Sequence, residues 1–301
     1  MCLVTKMIMI QDLDNPDFIK IFDFRSNLIV DQDNPILIQK AWRDHFAGKN
    51  YFNEGKDGGK AYLGVLHGED AMTWNVFRSL QKEGQRGNEL ISDFFGLSRV
   101  KSLLFWGCDV ESSGEEQQRL SILIRILDGQ LKGTMTEPDL VVIAEKEVAF
   151  IECKLNKSER HRSPWKAQLG STFKEGGASR RMEVYKKFGF KELQQIDDWP
   201  EIYQLVRQYL YAKLFARSLG KMPVAIPLIN EDHLGDLKPF YAKALNSPLN
   251  KSGTFCDMVT WQDLRKRIAG SDLDCKEKLI IKMDETLAVS DRQCKRQVLK
   301  D

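Results

Sequence analysis

The chain has 301 residues, 42% of them hydrophobic and 29% charged, with a net charge of only +2. That balance fits a globular protein with room for one large core or a core plus appendages, and it excludes a disordered chain. No apolar run approaches the roughly 18 residues that span a bilayer. The N-terminus, Met1 to Ile10 followed at once by Gln11-Asp12-Leu13-Asp14, has no secretory-signal pattern, so the expected location is cytoplasmic.

The six cysteines are scattered without a Cys-x-x-Cys pair, and the four histidines stand far apart. Structural zinc and a disulfide framework are therefore not expected, and reduced, partly buried thiols are.

In chain order, Asn34 to Ala47 has helical spacing, with Ile36, Ile38, Ala41, Trp42 and Phe46 forming an apolar stripe and Pro35 near its start. Tyr51 to Gly64 is rich in Gly and reads as a loop. Its Gly59-Lys60 is no phosphate loop, because Glu54 and Ala61 stand where Gly and Ser or Thr are needed. Glu69 to Gln81 reads as an amphipathic helix carrying Met72, Val76 and Leu80 on one side, and Asn88 to Phe95 as a short helix after the Gly84–Gly87 break.

Leu120 to Leu127 is rich in branched residues and is expected to be a strand. Asp139 to Ala144 and Val148 to Lys154 are expected to pair as a hairpin around Glu145-Lys146-Glu147. Glu201 to Leu219 is a strong helix, Pro223 to Ile229 and Phe255 to Thr260 are strands, and Trp261 to Ile268 and Lys276 to Val289 are helices. The order helix, three strands, helix, strand defines an α/β core with mixed strand directions, spanning about residues 67–230, between an N-terminal appendage (1–66) and a C-terminal strand and helical appendage (231–301) packed on it.

Charge is more telling locally than globally. Between Cys153 and Lys191 there are eleven Lys or Arg against three acids, a surplus of eight positive charges. Such a stretch can contact phosphates and steer a polyanion, or simply form a solvated face.

A turn centred between Glu145 and Lys146 pairs residues whose numbers add to 291, which makes Asp139 and Glu152 cross-strand partners. Lys154 then lies on their face and Cys153 points the other way, into the core. A shift of one residue would separate the two acids. Like charges opposite one another repel, and a hard divalent cation such as Mg²⁺ relieves that repulsion while polarising a phosphoryl oxygen and lowering the pKa of a bound water. A lysine alongside can orient the water or stabilise charge building on phosphorus. The bland alternative makes Asp139 a strand cap and Glu152 and Lys154 solvent-facing residues of an edge hairpin.

Pro138-Asp139, then Glu152-Cys153-Lys154, resembles the signature of the PD-(D/E)XK nuclease superfamily, and the order of elements from about Glu69 to Ile229 is similar to its restriction-endonuclease-like αβββαβ core. The resemblance implies a nuclease that hydrolyses phosphodiester bonds with Mg²⁺, Mn²⁺ substituting, with Asp139 and Glu152 on the metal and Lys154 catalytic. It implies a further acid on the helix before the first core strand, with Glu69 the leading candidate, then Asp70, and Glu89 a lesser rival. Acids in a first helical turn also serve simply to offset the helix dipole.

Many members carry a Gln on the helix after the third strand; here Gln204, Arg207, Gln208 and Tyr211 form one polar stripe, facing either the site or solvent. The implied partner is nucleic acid, DNA before RNA, in restriction, defence, mobile-element or repair chemistry. A homodimer is compatible with it, although no dimer element stands out. The competing reading is a non-catalytic nucleic-acid-binding or assembly module that keeps the fold.

Overall fold

A computed structural model describes residues 27–46, 68–111, 114–128, 137–155, 185, 187, 203–247, 250 and 253–298. Helix α1 (Pro35–Phe46) precedes α2 (Glu69–Thr73), which runs through a π-helical turn (Trp74–Arg78) into α3 (Ser79–Lys82). Then come α4 (Gln85–Phe95), β1 (Val100–Phe105), β2 (Cys108–Asp109), α5 (Glu115–Asp128), β3 (Leu140–Ala144) and β4 (Glu147–Lys154). The chain continues with α6 (Tyr203–Ser218), β5 (Met222–Ile229), α7 (Leu234–Leu245), β6 (Val259–Thr260), α8 (Trp261–Ala269) and α9 (Lys276–Val298).

The strands form one sheet in the order β2-β1-β3-β4-β5-β6. The pairings are antiparallel from β2 to β4 and parallel from β4 to β6. Side chains of successive residues in a strand point to opposite faces, so β4 feeds two cores. Ala149, Ile151 and Cys153 pack with α1, α2, α4, α8 and α9. Val148 and Phe150 pack with α5, α6 and α7. A mixed sheet between helical layers is the α/β architecture expected from the sequence.

Segments outside the strand-and-helix core take part in it. Leu28, Ile36 and Leu37 near the N-terminus and Trp261, Leu264, Leu279 and Met283 near the C-terminus all lie in the first core. The π-helical turn is where residues 27–34 dock. Asn75 accepts from the Ile29 N–H at 2.9 Å and donates to the Asn27 carbonyl, while the buried Arg78 pairs with Asp31 at 2.7 Å. No helix among the described residues is long and apolar enough to cross a membrane.

Leu120 to Leu127 is not a strand but lies within α5. Its apolar residues at 120, 123, 124 and 127 follow the helical period, and Leu120 and Leu127 are fully buried while Ile122 and Ile126 are exposed. The first core strand is Val100–Phe105 instead, so α5 is inserted between the first two long strands. The expected strand Phe255–Thr260 shrinks to Val259–Thr260 plus a single bridge at Phe255. Of the stripe expected on α1, Ile36 and Ile38 are buried as anticipated; Leu37 and Lys40 join them. The Tyr51–Gly64 loop and nearly all of the basic stretch after Leu155 lie outside the described residues.

One close approach sets the α3–α4 corner. A Cβ on Gly87 would lie 1.8 Å from the backbone oxygen of Leu80. Gly87→Ala is therefore expected to destabilise the fold by about 3 kcal/mol, since the helices must part to admit it. A thermal melt of the variant checks this, and an unchanged midpoint would refute it.

Candidate active site

The site is built at the end of β4. The β3–β4 register pairs Leu140 with Ile151 and Val141 with Phe150, so the hairpin turns at Glu145-Lys146 and Asp139 follows one step beyond the ladder, opposite Glu152. The two strands are tied there by the Cys153 N–H, which donates to Asp139 Oδ2 at 2.8 Å.

Glu152 is 5% exposed and sits on the face covered by α6, where Gln208 Nε2 donates to its Oε2. Its other oxygen, Oε1, lies 2.8 Å from Lys154 Nζ. Lys154 also reaches Glu69 Oε2 at 3.4 Å, and Glu69 Oε1 accepts from the Leu155 N–H at 3.1 Å. Four of the five candidate residues, Glu69, Glu152, Lys154 and Gln208, are thus linked directly, with Asp139 bonded to the intervening Cys153.

Burial raises the cost of ionising these groups, and their charges then act on one another strongly. Burial, followed by the neighbouring Glu152 charge, pushes the Asp139 carboxyl well above the ordinary range. Burial also raises Glu69, against the pull of the Lys154 ammonium and the Leu155 N–H. For Lys154 burial acts downward, but Glu152, Glu69 and Asp139 overcome it and hold the ammonium well above its usual value. The Cys153 thiol, buried on the opposite face, is pushed well up and is no nucleophile.

Asp70 and Glu89, the other candidates for the helix acid, have partners of their own. Asp70 accepts from Trp106 Nε1 at 2.7 Å and pairs with Lys40 at 3.1 Å, and its charge also bears on Asp139. Glu89 stands exposed on α4 and accepts from Gln85 at 2.7 Å. Of the α6 stripe, Gln204 and Arg207 are half-buried and Gln208 and Tyr211 are buried, so it is not a solvated face. Gln208 Oε1 is buried with no hydrogen-bond partner among the described residues.

A family of restriction endonucleases, described as "Restriction Endonuclease associating with ARP", has a model that matches residues 20–282. The chain belongs to that family. The match extends over the αβββαβ core and well into both flanking segments, and it agrees with the PD-(D/E)XK resemblance carried by Pro138-Asp139 and Glu152-x-Lys154. Searches among curated proteins and among solved structures returned no match to the chain. Membership of this restriction-endonuclease family gives the chain a nuclease-like function with nucleic acid as its partner.

The donor chemistry of the site fits a hard divalent cation. Asp139, Glu152 and Glu69 offer carboxylate oxygens against one ammonium, and Asp139 is held with a raised affinity for protons that a metal would relieve. Among the described residues no three Asp, Glu, His or Cys side chains form a ready-made chelate. Mg²⁺ does not need one, because it commonly takes one or two carboxylates and completes its shell with water and substrate phosphate.

Lys40, Trp106 and Glu137 adjoin the site and were not among the expected site residues. Lys40 follows Ile36 by four positions and Leu37 by three, which places it on the buried face of α1 and was the one signal available.

Proposed function

We propose that this restriction-endonuclease family member is a Mg²⁺-dependent endonuclease that hydrolyses phosphodiester bonds of DNA, in restriction, defence, mobile-element or repair chemistry. The observation that carries the reading is the gathering of Glu69, Glu152 and Lys154 around one ion-paired centre, with Asp139 tied to the same strand end.

Asp139 and Glu152 would hold the metal, with Glu69 as the third acid, and Gln208 would fix the Glu152 carboxylate by its amide hydrogen bond. When bound, Mg²⁺ polarises the phosphoryl oxygen and lowers the pKa of the attacking water. Lys154, charged throughout the working range, orients that water or offsets the negative charge that builds on phosphorus. Burial of the acids keeps bulk water from screening these interactions. The basic stretch that follows Lys154 in the sequence supplies phosphate contacts in this reading.

Supercoiled plasmid tests it. Purified protein is expected to nick or linearise the plasmid with Mg²⁺ or Mn²⁺ and to leave it intact in EDTA; an Asp139→Ala/Lys154→Ala double variant is expected to leave it intact in either metal. The ratio of nicked to linear product tells whether one or both strands are cut in an encounter. Equal cutting by wild type and double variant would remove the proposed centre. Absence of both cutting and Mn²⁺ binding in the wild type would leave the non-catalytic binding module.

A further inference from the structure

Glu69 and Asp139 come from different elements, the start of α2 and the approach to β3. Neither is rigidly placed by its own element. Glu69 is the first residue of a helix whose N-cap, Gly68, supplies no side-chain cap. Asp139 precedes the first ladder residue of β3, Leu140. Their side chains meet at the end of β4, through the Leu155 and Cys153 N–H groups, and contacts elsewhere set how their two backbones approach it.

Trp106 touches both approaches. Its backbone N–H donates to the Asp139 carbonyl at 3.3 Å, and its indole N–H donates to Asp70 Oδ1 at 2.7 Å, one residue from Glu69. Lys40 closes the circuit from the other side: its ammonium lies 3.1 Å from Asp70 Oδ2, 3.3 Å from Glu137 Oε2, and 5.6 Å from the centre of the Trp106 ring. Glu137 is separated from Asp139 only by Pro138, whose ring fixes its own φ. The result is a closed loop of contacts, from Trp106 to Asp139, back along Pro138 to Glu137, across Lys40 to Asp70 and home to the indole.

Several features make this loop firm. Lys40 is 4% exposed and Trp106 is 2% exposed, and their acid partners are mostly covered, so water competes little for these bonds. Trp106 stacks on Trp74, with ring centres 5.9 Å apart and planes 7° from parallel. The two-residue turn joining β1 to β2 holds Trp106 at φ 51° and Gly107 at φ 80°. Positive φ at both positions suits a tight hairpin turn, but Asn, Asp or Gly ordinarily fills the first of them. A tryptophan kept there against its backbone preference is held by the contacts its ring and indole N–H make.

We propose that Trp106 and Lys40 are positioning residues that set the separation of Glu69 and Asp139. The proposal rests on the nuclease reading of those two acids. It draws α1, outside the αβββαβ core, into the working of the site. Charge supports the same assignment: Lys40 offsets the negative charges of Asp70 and Glu137, so that these acids neither compete for the cation nor add to the repulsion on Asp139.

Calorimetric titration with Mn²⁺, below the melting range of every variant, separates positioning from folding. Trp106→Phe removes the indole N–H donor and one ring of the bicycle while keeping an aromatic side chain and the backbone N–H; Lys40→Met removes the charge. Each is expected to weaken Mn²⁺ binding by about tenfold or more, as loss of supporting partners does at metal centres, with unchanged stoichiometry. Lys40→Arg is expected to recover most of the affinity. Wild-type affinity in both Trp106→Phe and Lys40→Met would overturn the proposal, even if both melted earlier. An Arg variant no better than the Met variant would overturn the role given to Lys40. A wild type that binds no Mn²⁺ would instead bring down the nuclease reading, and this inference with it.

Discussion

Replacing Asp139 with asparagine is expected to slow cleavage by roughly a thousandfold or more while making the metal-free protein more stable. Asparagine keeps the shape and an oxygen able to accept from the Cys153 N–H, so the strand tie survives. What disappears is a buried negative charge, disfavoured first by burial and then by the charge on Glu152.

The sign of the pH dependence follows. Because the folded-state pKa is raised, the folded protein holds the Asp139 proton at pH values where the unfolded chain has released it, and wild-type stability falls as pH climbs through that interval. The variant lacks this loss, so its advantage is absent at low pH, grows across the interval and then levels off at about 1 kcal/mol, a few degrees of melting temperature. Saturating Mg²⁺ should narrow the gap by stabilising only the protein that binds it. Melts of both proteins across pH, with and without Mg²⁺, check every part. A variant less stable than wild type at neutral pH would show that Asp139 is not held under electrostatic stress.

Lys154→Met is expected to lose activity on a scale of about 10²–10³ but to shift stability the opposite way. The ammonium is held charged by Glu152, Glu69 and Asp139, so its contribution is complete at every working pH and is lost only as pH rises through its raised folded value. Methionine fills similar space and leaves Glu152 and Glu69 without their cation. Breaking a buried pair from one side costs about 3–5 kcal/mol, lessening at acid pH as the freed carboxylates take up protons. Added Mg²⁺ should restore part of the loss by supplying positive charge to the unpaired carboxylates. Two variants both impaired in catalysis would thus lie on opposite sides of the wild type in a melt, and matching shifts would contradict the charge balance assigned to this centre.

The legible part of this site was the hairpin. A strand repeats every two residues, so one assumption, a turn at Glu145-Lys146, put Asp139 opposite Glu152 and turned Cys153 away, and the Leu140–Ile151 register agrees with it. Glu69 ranks ahead of Asp70 in sequence, but nothing local fixes where either side chain goes, because both begin one helix. About 100° of helical rotation between neighbours then sends one toward Lys154 and the other toward Lys40. Leu120–Leu127 was misread because branched side chains were weighed above their spacing. Val100–Phe105 was missed because Lys101 and Ser102 interrupt its apolar run. The Lys40 pairings could not be read at all, since a buried ion pair depends on elements far apart in the chain. The π-helical turn likewise carries no local mark, and its Asn75 and Arg78 gain their meaning only from the segment they grip.

The parallel seam between β4 and β5 has a consequence for when this centre comes into being. It runs the whole length of β4, from Glu147 beside Met222 to Lys154 beside Ile229, and at its end the Asn230 N–H donates to the Lys154 carbonyl at 3.0 Å. A ribosome delivers Glu69, Asp139, Glu152, Lys154 and Gln208 before it delivers any of β5. Parallel pairing across so long a crossover is among the slower contacts a chain makes. The nascent chain therefore carries every candidate site residue before it has the strand that pairs along β4, and a product truncated ahead of Met222 would hold the full set of side chains without the seam that fixes β4.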